Sequence, residues 1–435
     1  MSFARIKVKF AISRSDAGTW GSDPTGANDV RVIRSTEIGI DGRITIKDSA
    51  ERQLTESEYK RTQVRPGDLL VVRSSGSDAH LGKVGYVGKN ALGCSFSNFI
   101  QRLTFEQTSS SRFAWYFLNS LDAKQQIRIL SSTTTGLQNL SAATIGELQM
   151  PMPGIKEQER IADFLDAETA LIDSLVADRV RQQTILEERS YAEVSEALLP
   201  GVLTDARGDW PWLWMPKISA DSPMVRLGYV CRLQNGLTVD GNRDVSGDVV
   251  TRPYLRVANV QAGYVELSTV TEVTVPRYIA KRCTLRAGDV LMTEGGDLDK
   301  LGRGTVWNGE LTDCLHQNHV FALRPELDRL DGDYLALMTQ TIHGRCYFES
   351  TGSKTTNLAS TNSSKILSFP IPLPPVGRQR ELVRSTRSRL DSIARARREL
   401  DRQLALLTER RQALVAAAVT GQIDVSTARG RGIED

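Results

Sequence analysis

Residues 374–425, PPVGRQRELVRSTRSRLDSIARARRELDRQLALLTERRQALVAAAVTGQIDV, read as one long helix. Apolar side chains recur at Val383, Leu390, Ile393, Leu400, Leu404, Leu407, Leu414 and Ala418, three, four or seven residues apart. That is the narrow seam of a coiled coil rather than the broad face of a globular helix. Pro374 and Pro375 bar a helix upstream, and Gly421 stands where a C-terminal glycine cap belongs.

The stretch has a relative in the middle of the chain, which starts at Pro153: PGIKEQERIADFLDAETALIDSLVADRVRQQTILEERSYAEVSEALLPG. A shift of 221 sets Gln158 on Gln379, Ile161 on Leu382, Ile172 on Ile393 and Leu186 on Leu407. The same shift sets Gly42 on Gly263 and the turn Arg65-Pro-Gly-Asp68 on Arg286-Ala-Gly-Asp289. With small slips, Leu81-Gly82-Lys83 meets Leu301-Gly302-Arg303, and Asn139-Leu140 meets Asn357-Leu358. The chain is a tandem repeat of about 220 residues, each unit a mixed domain followed by a long helix.

The two helices carry opposite charge. Residues 155–199 hold 5 basic and 11 acidic side chains, and residues 377–412 hold 11 basic and 5 acidic. Each helix therefore fits the other better than a copy of itself. Ile161, Leu165, Ile172 and Leu186 are expected to pair with Leu390, Ile393, Leu400, Leu404, Leu407 and Leu414. A domain lies between the helices, so the expected pairing is antiparallel, along ~60 Å for a helix of ~40 residues. Reversing charge on the C-terminal helix, for example at Arg395, Arg398 and Arg402, is expected to loosen it.

The expected fold is α+β (mixed), with two tandem domains separated and followed by long helices paired as an antiparallel coiled coil. The boundaries are a first domain at 1–150, a central helix at 151–205, a linker at 206–223, a second domain at 224–374, a C-terminal helix at 375–425 and a tail at 426–435. Short strands are expected at Asp29–Ser35, Arg43–Lys47, Asp68–Arg73 and Val84–Val87, and helices at Phe113–Leu130 and near Tyr334–Met338. The linker's Trp210, Trp212 and Trp214 are expected to pack the connection against a domain.

Composition is ordinary for 435 residues, with 40% hydrophobic, 25% charged and a net charge of +3. A membrane span is not expected. MSFARIKVKF lacks the apolar core of a signal peptide, and the five scattered cysteines contain no CxxC, so a cytoplasmic protein with reduced thiols is expected. Polar loops, Ser131–Asn139 and Ser350–Asn357, precede each long helix and carry hydroxyls and amides suited to phosphates or base edges.

PYLRVANVQAGYVELS, LRAGDVLMTEGGDLDKLGRGTVW, CLHQNHVFALRP and FPIPLPPVGRQREL in the second half resemble the specificity subunit of a type I restriction–modification enzyme. RPGDLLVVRSSGSDAHLGKVGYV and GLQNLSAATIGELQMPMPGIKEQERIADFLDAETALIDSLV resemble it in the first half. Gly377-Arg378-Gln379 departs from the family's acidic residue before glutamine, which Glu157-Gln158 keeps. The resemblance implies two target-recognition domains, each reading one half of a split double-stranded DNA target. It also implies a helix pair that spaces them and carries two modification (methyltransferase) subunits, with restriction (translocase-nuclease) subunits joining that core.

Candidate DNA contacts lie in the loops around Arg73–Lys83, Thr133–Asn139, Thr293–Arg303, Gln317–His319 and Lys354–Asn357. In the first domain they are Arg73, Ser74, Ser75, Lys83, Thr133, Thr134, Thr135, Gln138 and Asn139. In the second they are Thr293, Lys300, Arg303, Gln317, Asn318, Lys354, Thr355, Thr356 and Asn357. Arg and Lys read guanine, Asn and Gln read adenine, and Ser and Thr bind phosphates.

Catalytic readings are weaker. Cys314-Leu-His316-Gln-Asn-His319 has metal-ligand types, but as a strand it turns His319 away from Cys314 and His316. Glu294-Gly-Gly-Asp297 has two carboxylates with no base or nucleophile nearby. A P-loop and an Asn-Pro-Pro-aromatic motif are absent. No enzymatic activity, metal or cofactor is expected. The alternative is a coiled-coil scaffold that binds protein alone, which explains the helices but not two matched domains.

Overall fold

A computed structural model describes residues 3–46, 49–75, 80–130, 132–134, 137–203, 218, 223–239, 247–296, 301–354 and 359–425. It divides into two compact units, Met1–Arg179 with Arg402–Asp435, and Val180–Asp401. Each unit takes a segment of both long helices. The linker tryptophans and the tail lie outside the described residues.

Both units are built to one plan. In the first, a four-stranded antiparallel sheet runs in the order Ile12–Ala17, Ile100–Phe105, Leu69–Val72, Val84–Tyr86. In the second the order is Cys231–Asn235, Val320–Pro325, Val290–Thr293, Gly304–Val306. A three-stranded sheet stands beside each, formed by Ala50–Arg52, Val30–Ile33 and Ser95–Phe96, and by Thr271–Pro276, Val249–Leu255 and Leu315–His316. In both, the last pairing is parallel. The repeat read from the sequence thus extends to strand order.

The inner strands are buried throughout because their sequences, LLVV and VLMT, expose no charge on either face. The turns that feed them need glycine, since Gly67 has φ 88° and Gly288 φ 93°. Asp68 and Asp289 accept the N–H of Arg65 and Arg286 at 2.9 and 2.8 Å, which closes each turn on its own side chain. Arg324 then grips Asp289 through two bonds of 2.7 and 2.8 Å.

Some expected elements differ. The stretch 43–46 forms no strand beyond a single bridge between Ile38 and Ile44, because Gly42 (φ 78°) turns the chain against the Trp115 ring. The stretch from Phe113 is two helices, Ser111–Leu118 and Leu121–Leu130. Asn119 divides them, donating to Val84 O and accepting from Val84 N, so its amide serves a neighbouring strand. Gly332–Gln340 is the corresponding helix of the second unit.

The long helices are Ile155–Leu198, 44 residues, and Val376–Thr420, 45 residues. Gly421 (φ 74°) ends the latter, with the Gln422 N–H bonding Ala417 O at 2.8 Å. They run antiparallel within each unit. In the first, Asp173 faces Arg411 at 3.3 Å. In the second, Glu193 meets Arg389 at 3.3 Å, and Gln183 bonds Asp401. Ile161, Leu165, Ile172, Ile393 and Leu400 are buried, while Leu186, Leu390, Leu404, Leu407 and Leu414 are half-buried. Arg395, Arg398 and Arg402 are exposed. Arg389 and Arg411 make acid–base contacts between the helices.

Each long helix is locked to its domain by a buried glutamine. Gln158 accepts the Ser110 N–H at 2.9 Å and donates to Pro153 O at 2.8 Å. Gln379 accepts the Asp331 N–H at 2.9 Å and donates to Pro374 O and Arg329 O at 2.7 and 2.9 Å.

Candidate nucleic-acid interface

The fold joins candidate groups that lie far apart in sequence. Ser132–Thr134 and Leu137–Asn139 form an antiparallel hairpin, and its second strand pairs with Ser74–Ser75. Gln138 stands opposite Ser75, and Asn139 opposite Ser74. Leu140, fully buried, anchors the hairpin, and its N–H bonds Arg73 O at 2.7 Å. Ser141 follows as an N-cap, accepting from Thr144 N at 3.0 Å.

The second unit repeats the construction. Ala359–Ser360 pairs on one side with Ser353–Lys354 and on the other with Gly295–Gly296. Thr361, buried, bonds Glu294 O through its N–H at 2.7 Å, and Asn362 caps the next helix.

Asn139 is exposed, while Arg73, Ser74 and Ser75 are half-buried. The Arg73 guanidinium donates to Gln101 Oε1 at 3.4 Å. Thr133, Thr134, Gln138 and Lys354 lie on these strands by backbone position. Thr135, Lys300, Thr355, Thr356 and Asn357 fall outside the described residues. Arg303, Gln317 and Asn318 are half-buried, and Gln317 Oε1 accepts the Val257 N–H at 3.4 Å.

Two candidates point inward. Lys83 is 7% exposed, and its ammonium donates to Ser35 O at 3.2 Å and to Ile38 O. Burial pushes its pKa down. It serves as an internal strut for a short 3₁₀ turn, not as a surface cation. Thr293 is 3% exposed because it closes the inner strand.

The Cys-His stretch divides as its spacing suggested. Cys314 and His316 are buried, and His316 Nδ1 lies 2.7 Å from Val320 O. Burial lifts the Cys314 thiol to about 12 and lowers His316. His319 turns outward and pairs with Glu294. Among the described residues no three His, Cys, Asp or Glu side chains gather as a metal site.

Glu294 is the residue at the second edge that the candidate set passed over in favour of Thr293. The signal was in the repeat, because the 221-residue shift that aligns the two turns also sets Arg73 on Glu294.

Residues 43–179 match a family model described as the type I restriction modification DNA specificity domain. The chain is 25% identical over 366 residues to the type I restriction enzyme EcoKI specificity subunit of Escherichia coli (strain K12), covering 83% of this chain and 76% of that one. It is 23% identical over 370 residues to the StySPI specificity subunit of Salmonella potsdam, with the same shares covered. In fold it is similar to a chain from a solved type I R–M system, with TM-score 0.70 and 17% identity over 97% of this chain and 98% of that one. The specificity-domain match, the two relatives along most of the chain and the shared fold converge: the chain is similar to type I restriction–modification specificity subunits over most of its length.

Proposed function

We propose that each unit reads one half of a split, asymmetric double-stranded DNA target through its polar hairpin edge. The observation that carries this is the edge itself, built twice on the same strand order with different residues. A homodimer places one reader twice and needs a palindrome, whereas two unlike readers in one chain suit two unlike half-sites. A good bidentate base contact discriminates by ~1–3 kcal/mol, so three or four base pairs per edge select usefully only when both edges dock.

The paired helices act as the spacer between half-sites and as the seat for two modification subunits, with restriction subunits joining that core. The complex works on cytoplasmic DNA. No helix among the described residues is long and apolar enough to cross a membrane.

The test is a methylation map of plasmid DNA from cells co-expressing this chain with its modification subunit. A split motif with two unlike halves and a constant gap, lost when the chain is omitted, is expected. Replacing residues 224–374 with the matching domain of a relative should change one half alone. A change in both halves would sink the one-unit, one-half assignment.

A further inference from the structure

Arg73 and Glu294 occupy one structural position in the two units. The Arg73 N–H bonds Phe99 O at 2.9 Å, and the Glu294 N–H bonds His319 O at 2.8 Å. The carbonyl of Arg73 accepts from Leu140 N, and that of Glu294 from Thr361 N, both at 2.7 Å. Each residue therefore joins the inner strand to the polar hairpin through main-chain bonds that do not depend on its side chain.

The side chains at this position have opposite charge. A residue that only holds the phosphate backbone would be basic in both units, because DNA repels a carboxylate. Glu294 breaks that rule on an edge otherwise suited to nucleic acid. A carboxylate is rewarded on DNA where a base presents an amino donor, and the guanidinium where a base presents two acceptors. His319 Nδ1 on Glu294 Oε2 orients the carboxylate and leaves Oε1 to accept. Both groups keep access to solvent, with His319 52% and Glu294 28% exposed.

Resting on the reading in the previous section, we propose that this shared position determines specificity in each half-site. Arg73 reads the O6/N7 acceptor pair of a guanine. Glu294, held by His319, accepts the N4 amino group of a cytosine.

The test uses the full chain co-expressed with its modification subunit, carrying Arg73→Gln or Glu294→Gln, with the methylated motif mapped at base resolution. Each variant should lose ~10- to 100-fold of its preference at one base pair in one half, with the other half and the gap unchanged. Arg73→Gln should move that preference toward adenine, which glutamine matches. A variant that no longer co-purifies with the modification subunit is replaced by Arg73→Met or Glu294→Met, which keep bulk and lose the polar group, and the same loss of preference at one position is expected. If the unaltered chain yields a split motif and the variants reduce methylation uniformly at every site, this assignment is overturned while the half-site reading stands. If the unaltered chain yields no split motif, the half-site reading fails and this assignment falls with it.

Discussion

Arg112 and Asp166 form an ion pair at 2.6 Å between the helix Ser111–Leu118 and the central helix, and 221 residues on the same bridge recurs with its charges exchanged. There Asp333 is the domain residue and Arg387 the residue on the C-terminal helix. Each domain is thus keyed to the sign of the helix it packs on, acidic in the first unit and basic in the second.

That polarity is testable by exchange. Arg112→Asp places carboxylate against carboxylate and should cost up to ~1 kcal/mol, since the pair is partly exposed. Arg112→Asp with Asp166→Arg should recover more than half of the loss in thermal denaturation at low salt. No recovery would mean that packing rather than charge holds the junction.

The buried glutamines should be costlier to replace. Gln379→Leu leaves the Asp331 N–H and the Pro374 and Arg329 carbonyls without this partner, at about 1–3 kcal/mol for each buried group left unpaired. Gln379→Glu keeps the acceptor and loses the donors, so its melting temperature should fall between leucine variant and parent. Gln158→Leu should behave as Gln379→Leu does. A neutral result at either position would refute the lock.

Lys83 separates structure from binding. Lys83→Met should lower the melting temperature, because the carbonyls of Ser35 and Ile38 lose their ammonium. The salt dependence of DNA binding should stay as in the parent. Removing a phosphate contact instead lowers the slope by about one, and that outcome would return Lys83 to the surface.

Charge reversal should discriminate among the arginines of the C-terminal helix. Arg389→Glu with Arg411→Glu faces Glu193 and Asp173 with like charge and should weaken helix pairing. Arg395→Glu with Arg398→Glu, on exposed positions, should change the melting temperature much less. Equal losses from both pairs would show that net helix charge, not these contacts, governs pairing.

His343 sets a pH dependence. Its Nε2 donates to Pro370 O at 2.7 Å, while buried Nδ1 has no hydrogen-bond partner among the described residues. Burial lowers its pKa from 6.5 to about 4. The unfolded chain therefore takes up the proton first as pH falls, and stability is lost between about 6.5 and 4. Buried His316, also lowered, acts in the same direction. Melting temperatures of His343→Gln should fall less steeply than the parent's across that window. Parallel curves would exclude His343 as a contributor.

The sequence alone determined the tandem repeat, the two long helices and their antiparallel pairing, because seam periodicity and net charge are written along the chain. The Arg65–Asp68 turn was legible for the same reason, since its glycine and aspartate act within four residues. The tertiary structure decided what those signals do not carry. Ser74–Ser75 pairs with Leu137–Asn139 across more than sixty residues, and nothing local to either strand specifies that match. Lys83 reads as a surface cation until the carbonyls of Ser35 and Ile38 are found to surround it. Asn119 divides a helix because Val84, thirty-five positions earlier, takes both ends of its amide. The 221-residue shift set Glu294 on Arg73, but that the two share the same backbone bonds was visible only in the tertiary structure. Local propensity and charge act through neighbours in sequence, whereas burial and strand pairing are set by neighbours in space.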